Sequence, residues 1–428
     1  MELVRADGIA EKRLLQTLRS RSGEVDRKVT AAVTEIIEAV QKRGDDAVRE
    51  YTLRFDGRCP ETFEVSREEI NDALTEADTA FVDALLSAQE NIAAFHNRQK
   101  QQSFIDTQPN GVMMGQRIRG LSRVGLYVPG GTAAYPSSVL MNCIPAKIAG
   151  VGEIIMVTPP RKDGTANPDI LVVAAIAGVD RIFLMGGAQA VAAMAYGTET
   201  VSKVDKIVGP GNIYVATAKR LLYGTVDIDM VAGPSEILIL ADDSANPVYL
   251  AADLMSQAEH DVLASAILLT NSERIAQKTK EELERQIQAL SRQQIIRQSL
   301  DNYGAIVVCR NISEMVTLAN ELAPEHLEVM LENPMMYVGQ LDNVGSLFLG
   351  QYSPEPLGDY YAGPNHVLPT SGTARFFSPL GVDSFVKRSS FLYYTREALE
   401  SAKEDIVRIA QKEQLTAHAH SIEVRFEK

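Results

Sequence analysis

The stretch RIFLMGGAQAVAAMA, residues 181–195, is the one that best defines the fold class. It begins as a short apolar run, turns at two glycines and continues with small and apolar residues that suit a helix. The same design recurs in VGLYVPGG (124–131), EIIMVTPP (153–160), KIVGPGNIYVATAKRLL (206–222), ILILAD (237–242) and AILLTNS (266–272). Short apolar strands that alternate with helices are typical of parallel sheets with crossover connections. The pattern therefore predicts an α/β fold.

The chain on either side of this region has other patterns. Between residues 24 and 100 apolar residues recur at intervals of three and four, which predicts helices, and Ser66 with Glu69 has the spacing of a capping box. Downstream, a Gly- and Pro-rich polar loop covers 352–372. A loop of this length on a rigid scaffold often carries function. The segment 391–426 predicts a strand, a helix and a final strand.

The composition excludes some classes of partner. The chain has 428 residues, of which 45% are hydrophobic and 23% are charged, and this is an ordinary globular composition with room for several domains. Its net charge of −14 would repel a phosphate backbone. No run of Lys and Arg with interleaved aromatic residues reverses that repulsion locally. We therefore expect no nucleic acid partner.

The cysteines and the apolar segments indicate a cytoplasmic protein. Cys59, Cys143 and Cys309 are odd in number and widely spaced, so they suggest neither a disulfide framework nor a thiolate zinc site. The N-terminus has acidic residues where a signal peptide needs a basic start. The longest apolar run, ILVVAAIAGV at 170–179, has about half the length that a bilayer requires. We expect no membrane association.

The stretch SQAEHD, residues 256–261, concentrates polar groups at the end of an apolar segment. Asn246 and Pro247 are suitable cap and first-turn residues, so a helix should begin there. Its apolar face would carry Leu250, Ala251, Leu254, Met255 and Ala258. Its opposite side would carry Asp253, Ser256, Gln257 and His260. Gln257 and His260, three residues apart, would be neighbours that can address one ligand, although spacing alone is explained as simply by a solvated polar face.

The histidines suggest a metal site without thiolates. The chain has six histidines, and four of them lie in strongly polar or Gly/Pro-rich contexts. His326 follows Glu325, His366 comes seven positions after Asp359, and each histidine taken alone fits a structural or surface role. Imidazole, amide and carboxylate ligands together suit zinc or manganese in an open catalytic site. No HExxH motif supports a zincin peptidase.

Two glycine-containing junctions have the form of nucleotide sites without the usual fingerprint. In FLMGGAQA (183–190) and IVGPGNIY (207–214), a strand-like run ends in glycines before a helix, where backbone amides can meet phosphate. Neither junction is G-x-G-x-x-G, and no acidic residue follows at the spacing expected for ribose. The glycines alone are equally consistent with plain turns.

Taken together, the motifs resemble histidinol dehydrogenase, over about residues 30–420. The resemblance rests on a succession of motifs in order: GLYVPGG (125–131), GGAQA (186–190), DKIVGPGN (205–212), AGPSEILILAD (232–242), SQAEHD (256–261), LAPEHLE (322–328), GDYYAGPNHVLPT (358–370) and EQLTAH (413–418). It implies a zinc-assisted, four-electron oxidation of L-histidinol through L-histidinal to L-histidine. Two NAD molecules would be consumed in turn, in the last step of histidine biosynthesis.

The resemblance also implies the ligands of the metal. Gln257, His260, Asp359 and His418 would bind the ion, with His418 contributed by the partner subunit of a homodimer that exchanges its C-terminal tails. Glu413, on the same tail, would bind substrate across that interface.

The resemblance further assigns the catalytic and binding residues. His326 would be the base that accepts the hydroxyl proton, and Glu325 would activate the water that attacks the aldehyde. Substrate would contact Ser235, Gln257, His260, His326, Asp359, His366, Glu413 and His418. NAD would contact Tyr127, Gln189 and Asn212.

The implied architecture has two Rossmann-like parallel-sheet domains of incomplete type, with small N- and C-terminal extensions. Residues 22–126 and 235–378 would form a discontinuous substrate and metal domain. Residues 127–234 would be an inserted NAD-binding domain. Residues 1–21 and 379–428 would be dimerisation extensions, with the tail completing the partner's site.

Two departures from the family pattern leave alternatives open. Val262 follows SQAEHD where a proline is expected. His420 would share one face of the predicted final strand with His418, so it competes as the ligand, although the LTAH motif favours His418. Alternative functions are oxidation of another amino alcohol or sulfonate by the same residues, and a zinc hydrolase that uses a metal-activated water with Glu325.

Overall fold

The structure is a computed structural model that describes residues 1–20, 27–130 and 135–427. The start of the predicted helical region at 24–26, the boundary at 21/22 and the final glycine of GLYVPGG lie outside the described residues.

The strands and helices alternate through most of the chain, as predicted. The strands are β1 (Glu2–Arg5), β2 (Phe104–Thr107), β3 (Met113–Gly120), β4 (Arg123–Tyr127), β5 (Glu153–Thr158), β6 (Arg181–Leu184), β7 (Lys206–Val208), β8 (Asp227–Ile228), β9 (Glu236–Ala241), β10 (Ser265–Thr270), β11 (Gly304–Val308), β12 (His326–Met330), β13 (Ser346–Leu349) and β14 (Val386–Tyr393). The helices are α1 (Ala10–Ser20), α2 (Arg27–Arg43), α3 (Asp45–Asp56), α4 (Arg67–Glu76), α5 (Thr79–Asn97), α6 (Pro136–Ala149), α7 (Pro168–Ala177), α8 (Gly187–Tyr196), α9 (Ile213–Leu222), α10 (Pro247–Ala258), α11 (Glu273–Gln286), α12 (Gln293–Tyr303), α13 (Ile312–Leu322), α14 (Glu355–Tyr360), α15 (Arg396–Lys412) and α16 (Thr416–Glu423).

Two parallel sheets confirm the predicted fold class. One has the order β6-β5-β4-β7-β8, and the other has the order β1-β11-β10-β9-β12-β13. Adjacent strands in both sheets run parallel. Without β1, both sheets have the same order when their strands are numbered along the chain, namely 3-2-1-4-5. The chain thus builds one side of each sheet and then crosses to the other side of its first strand, as in a doubly wound fold. The direction of strand order changes between β4 and β7 in one sheet and between β9 and β12 in the other.

Both faces of each sheet are covered. In the six-stranded sheet, Ile237 and Ile239 pack with α10, α11 and α12, whereas Leu238 and Leu240 pack with α13 and the Leu18 side chain of α1. This double burial explains why the strands are continuously apolar in sequence. In the five-stranded sheet, one cluster includes residues of α5, α6 and α7, and the other includes residues of α2, α3, α8 and α9.

The helical N-terminal region therefore packs on the five-stranded sheet. Val33 and Ile37 of α2 share a buried cluster with Phe183 of β6, and Ile92 of α5 shares one with Leu126 of β4. The strand β1 also pairs with β11 of the six-stranded sheet. The division of the chain into domains stays a prediction. Any division has to be consistent with the contacts of α2 and α5 with the five-stranded sheet and of β1 with the six-stranded sheet.

A third, antiparallel sheet was not predicted. It has the order β14-β3-β2 and brings the segment before β4 next to the C-terminal region. The helices α15 and α16 follow it and pack against each other. No helix in the described ranges is both long and apolar enough to cross a membrane.

Several helix starts agree with the capping residues that predicted them. The Asn246 side chain accepts a hydrogen bond from the Val248 amide and caps α10, and Ser66 forms the predicted capping box with Glu69 at α4. The prediction of a final strand is wrong, because Thr416–Glu423 is helical. His418 and His420 are two residues apart in a helix and so point in different directions, unlike in a strand.

The loop after β7 is held by a buried ion pair. Lys219 and Asp229 bond to each other, with side-chain exposures of 3% and 1%. Lys219 also donates to the Gly209 carbonyl at 2.9 Å, and Asp229 accepts from the Gly209 amide at 2.8 Å. Gly209 has φ +109°, and a Cβ there would lie 2.1 Å from the Tyr127 carbonyl oxygen. The position thus requires glycine.

Replacing Lys219 by Met should reduce the free energy of unfolding by about 3 kcal/mol or more, because Asp229 would stay buried without its counter-ion. Chemical denaturation measures the change. The matched control is Arg310→Met, in which the lost pair with Glu314 involves an arginine side chain that is 79% exposed. That change should cost less than about 0.5 kcal/mol. Equal losses in the two variants would contradict the importance of the buried pair.

Candidate active site

The two predicted bases lie at the amino end of the six-stranded sheet. Glu236 opens β9 and His326 opens the neighbouring β12. The Glu236 amide donates to Glu325 Oε2 at 2.8 Å, and His326 Nδ1 lies 3.0 Å from the Glu236 carbonyl oxygen. A carbonyl can only accept, so Nδ1 carries a proton and Nε2 faces the site. One backbone residue thus holds both side chains.

His326 Nε2 faces two carboxylates of the short helix α14. It lies 3.7 Å from Asp359 Oδ1 and 3.9 Å from Glu355 Oε1. The two acids are four residues apart, and therefore lie on one side of the helix. The predicted functional loop at 352–372 does contain this helix, and it places acidic side chains against the start of β12.

Three side chains form a group that could share a metal ion. One ligand atom each from His260, Glu355 and Asp359 lies within 4.8 Å of the others. His260 lies in the turn after α10, which ends at Ala258, and its amide donates to the Gln257 carbonyl at 3.2 Å. The expectation that His260 belongs to the helix face is therefore corrected: the residue follows the helix. Gln257 lies within the helix and is 1% exposed, and its Oε1 has no hydrogen-bond partner.

A second layer of buried acids supports this group. Glu328 Oε1 accepts from the Glu355 amide at 2.8 Å, and Ser256 Oγ donates to Glu355 Oε2 at 3.3 Å. Asp253 lies on the same side of α10 as Gln257, and burial together with the charge of Asp253 raises the pKa of Glu328 well above its usual value. Asp253 and Ser256 belong to the predicted polar side of the helix. That side is turned into the protein, so the alternative of a solvated face is wrong.

Burial and mutual repulsion shift the titration of these groups. Burial raises the pKa of Glu325 to about 8, and burial together with the charge of Asp359 raises the pKa of Glu355 to about 8. Burial alone would lower the pKa of His326, but Glu325, Asp359 and Glu355 outweigh it and raise this pKa to about 10. Burial also opposes ionisation of Asp359, yet the imidazole of His326 3.7 Å away lowers its pKa well below the usual range.

The site carries an excess of negative groups. Within the described ranges no Lys or Arg forms an ion pair with Asp253, Glu325, Glu328, Glu355 or Asp359. Burial lowers the pKa of His260, which favours the neutral imidazole that binds metals. Clustered buried carboxylates are costly unless a cation neutralises them.

His366 connects the site to the five-stranded sheet. Its Nδ1 donates to the Asp359 carbonyl oxygen at 3.0 Å, and its Nε2 lies 3.3 Å from Ser138 Oγ in the first turn of α6. Burial lowers the pKa of His366. Ser235 directly precedes β9, is half-buried, and its carbonyl accepts from the Ser265 amide at 3.0 Å.

The predicted NAD contacts lie at the carboxyl end of the five-stranded sheet. Tyr127 ends β4, and its hydroxyl accepts from the Gly187 amide at 3.0 Å, at the start of α8. Gln189 is fully buried, and neither of its side-chain polar atoms has a hydrogen-bond partner. Asn212 caps α9, where its side chain accepts from the amides of residues 214 and 215. Burial raises the pKa of Tyr127 to about 12, so its hydroxyl stays protonated.

The predicted tail residues are exposed in the single chain. Glu413 caps the end of α15 and His418 lies in the first turn of α16. Both are exposed, and the metal-binding group found among the described residues does not contain His418.

The structure therefore brings together part of the predicted set. Glu325, His326, Asp359 and His260 converge, and His366 adjoins them. Sequence reasoning missed Glu355 and Glu328. Glu355 could have been found from its spacing, since it precedes Asp359 by one helical turn.

A family model described as histidinol dehydrogenase matches residues 19–426. The chain belongs to the histidinol dehydrogenase family. As a member of this family it is an enzyme, an oxidoreductase of histidine biosynthesis.

Individual relatives cover nearly the whole chain. The histidinol dehydrogenase of Clostridium acetobutylicum is 54% identical over 426 residues, which are 100% of this chain and 99% of that protein. The histidinol dehydrogenase of Listeria monocytogenes serovar 1/2a is 57% identical over 400 residues, which are 94% and 93% of the two chains. The crystal structure of histidinol dehydrogenase from Elizabethkingia anophelis is 38% identical, with a TM-score of 0.93 over 99% of this chain and 98% of that chain.

Replacing Glu325 by Gln should stabilise the metal-free fold at alkaline pH. The pKa of Glu325 is about 8 in the folded protein, against about 4.3 in an unfolded chain, so the folded state binds the extra proton between these values. Wild-type stability must then fall as pH rises through this window, by about 2 kcal/mol or more. Gln keeps the hydrogen bond from the Glu236 amide without this dependence.

The measurement is chemical denaturation in chelator at pH 5, 6, 7 and 8. The exposed Glu332→Gln variant is the control and should follow wild type at each pH. A constant difference between Glu325→Gln and wild type over this range would refute the perturbed titration.

Proposed function

We propose that the chain oxidises L-histidinol through L-histidinal to L-histidine with two molecules of NAD, at a site built around His326 and a divalent cation, which we take to be zinc. The observation that carries the proposal is the convergence of His260 and Asp359 with the free Nε2 of His326. The family membership supports the reaction, and the geometry gives each residue a task.

The residues present fit a divalent cation. The donor set of imidazole, amide and carboxylate groups suits zinc, and manganese is the alternative. Gln257 Oε1, Glu355 Oε1 and His326 Nε2 are buried polar atoms without hydrogen-bond partners. We propose Gln257, His260, Asp359 and His418 of the partner subunit as the ligands. When bound, the cation would hold the imidazole and amino groups of the substrate and so fix the carbinol carbon.

The first oxidation requires a base at the hydroxyl group. His326 is suited to this role because the Glu236 carbonyl holds the proton on Nδ1 and turns Nε2 to the site. A cation bound beside Glu355 and Asp359 would offset the charges that raise the pKa of His326 to about 10, and Nε2 would then be free to accept a proton. The hydroxyl proton passes to Nε2 as the hydride leaves the carbinol carbon, and the product is the aldehyde. NAD, when bound, accepts the hydride in both oxidations.

The second oxidation requires water. Glu325 is suited to remove a proton from it, because burial raises the pKa of its carboxyl group to about 8 and makes its carboxylate a stronger base than usual. The hydroxide adds to the aldehyde carbon, and the resulting hydrate anion loses a hydride to NAD and its remaining hydroxyl proton to give the carboxylate. Ser235 and His366 would line the substrate pocket.

The NAD site would lie at the switch point of the five-stranded sheet. Ligands of open α/β sheets bind outside the carboxyl ends of the strands where the strand order reverses, and here this is between β4 and β7. Tyr127 ends β4 and Asn212 follows β7, so both flank that position. Gln189, with an unsatisfied buried amide at the start of α8, would be the third contact.

We further propose a homodimer that exchanges its tails, in a cytoplasmic enzyme. The antiparallel sheet exposes large apolar side chains, namely Phe104, Ile105, Phe391, Leu392 and Tyr393. Such side chains are expected to be covered by another protein surface. Glu413 and His418 would then reach the site of the partner. The proposed units remain a substrate and metal domain (22–126 with 235–378), an NAD-binding domain (127–234) and dimerisation extensions (1–21 with 379–428). His420 has no assigned role.

Two other functions are less well supported. A relative that oxidises a different amino alcohol would keep the ligands but change the pocket, whereas His366 and Glu325 fit histidinol. A zinc hydrolase would need no second sheet with an open switch point. Formation of NADH, followed by its absorbance after histidinol and NAD are added, separates a dehydrogenase from a hydrolase.

Replacing Glu325 by Gln should separate the two oxidations. We expect oxidation of supplied histidinal to fall by about 100-fold or more, since water loses its base, with a much smaller loss in the first hydride transfer. Single-turnover NADH formation from histidinol and from histidinal measures each step. Treatment with a chelator should abolish both steps, and Glu332→Gln should affect neither. Equal loss of both oxidations in Glu325→Gln would refute this division of labour.

Mixed dimers test whether His418 acts in trans. His326→Gln and His418→Ala homodimers should each be inactive. Refolding the two chains together in equal amounts should restore about a quarter of wild-type activity, because half of the dimers are mixed and each has one intact site. If His418 acted on its own chain, every site in the mixture would lack one essential group and no activity would return.

A further inference from the structure

Glu355 is the member of the metal-binding group that the proposed mechanism does not use. Its residue is 2% exposed, and its Oε1 has no hydrogen-bond partner. Its amide is bound by Glu328 and its Oε2 faces Ser256, so the side chain is held in place with one oxygen left free. That free oxygen lies 3.9 Å from His326 Nε2, on the side of the site that faces Asp359.

The geometry of the group suits an ion between its three members. Ligands at ~2.1 Å from a zinc ion lie within about 4.3 Å of each other. The donor atoms of His260, Glu355 and Asp359 lie within 4.8 Å of one another, so a small inward movement would close them on an ion. All three donors come from one chain, whereas His418 of that chain is exposed on its tail.

We propose that Glu355 is a further ligand of the divalent cation, so that a single chain holds the ion through Glu355 together with Gln257, His260 and Asp359, without His418 of the partner subunit. The inference rests on the proposed function for the presence of a cation and for the trans role of the tail. Its consequence is that metal binding precedes completion of the site: the ion is loaded first and the tail arrives at a metal already in place.

A purely structural role explains the observations less well. Glu328 and Glu355 each keep one oxygen without a hydrogen-bond partner. Glu355 differs from Glu328 because one of its oxygens lies within 4.8 Å of ligand atoms of His260 and Asp359, and in the described part of the chain it is paired with no cationic side chain except the imidazole of His326. A proton or a cation has to lie between the members of such a carboxylate pair, and the ligand atom of His260 beside them suits a cation.

The test measures metal affinity on the full-length chain, with Co²⁺ and Zn²⁺ in competition with a chromophoric chelator. The variants are His418→Ala, Glu355→Gln and the combination of the two. Glu328→Gln, alone and combined with His418→Ala, is the matched control, because Glu328 is equally buried and belongs to the same acidic cluster but is not in the metal-binding group. The visible spectrum of bound Co²⁺ is the second readout, since it reports a change of ligand.

We expect His418→Ala to weaken binding by less than about tenfold, and Glu355→Gln in that background to weaken it by at least about 100-fold with loss of the Co²⁺ spectrum. Glu328→Gln in the same background should retain the spectrum. If Glu355→Gln folds poorly, Glu355→Asp takes its place, because it withdraws the carboxylate but keeps its charge. In the His418→Ala background it should also weaken metal binding and change the Co²⁺ spectrum, unlike Glu328→Gln.

Two results would overturn the proposal. In one, Glu355→Gln and Glu328→Gln weaken binding equally and leave the spectrum unchanged, which makes Glu355 a bracing residue. In the other, His418→Ala alone abolishes binding, which means that one chain cannot hold the ion. A different result would refute only the trans role of the tail: His418→Ala has no effect on metal affinity and the mixed dimers stay inactive. The metal affinity of Glu355→Gln would still decide whether Glu355 is a ligand.

Discussion

The structure depends on one electrostatic constraint, which is that several carboxyl groups are buried together with too few positive charges among them. Glu325, Glu355 and Asp359 lie around the imidazole of His326. Glu328 and Asp253 lie next to Glu355, and no Lys or Arg in the described part of the chain pairs with any of these acids. Removing such groups from water costs several kcal/mol each unless a cation compensates. The fold supplies this compensation only in part, so the site as built from one chain is prepared to bind an ion.

Apart from β1, the two parallel sheets share a strand order, but the residues of the proposed sites lie at opposite ends of their strands. Tyr127 and Asn212 lie at the carboxyl end of the five-stranded sheet, where open α/β sheets usually bind ligands. Glu325 and His326 lie at the amino end of the six-stranded sheet, where that rule predicts no site. The contact between His366 and Ser138 joins the two regions. A cofactor and a substrate bound at these ends would meet between the sheets.

Local patterns in the sequence were enough to predict the strands, the capped start of α10 and the parallel sheets, because each depends on neighbouring residues. The prediction of a final strand was wrong because His418, His420 and Ile422 alternate as residues of a strand do. Ala417 and Ala419 favour a helix instead, and Ala419 is buried. In the antiparallel sheet β14 pairs with β3, which lies far from it in the chain, so no local pattern reveals that pairing. Motifs identified Asp359, but Glu355 was one acid among many until the fold placed it beside His260.

The attachment of Glu325 and His326, the two proposed bases, to β9 has a further consequence for how this enzyme can vary. Both bonds use the amide and the carbonyl of residue 236, and every amino acid except proline provides these groups. A substitution other than proline at that position would keep the donor and the acceptor of both bonds. The bonds that hold the two proposed bases therefore do not depend on which side chain residue 236 carries. Sequence conservation at residue 236 would be a poor guide to the importance of its backbone.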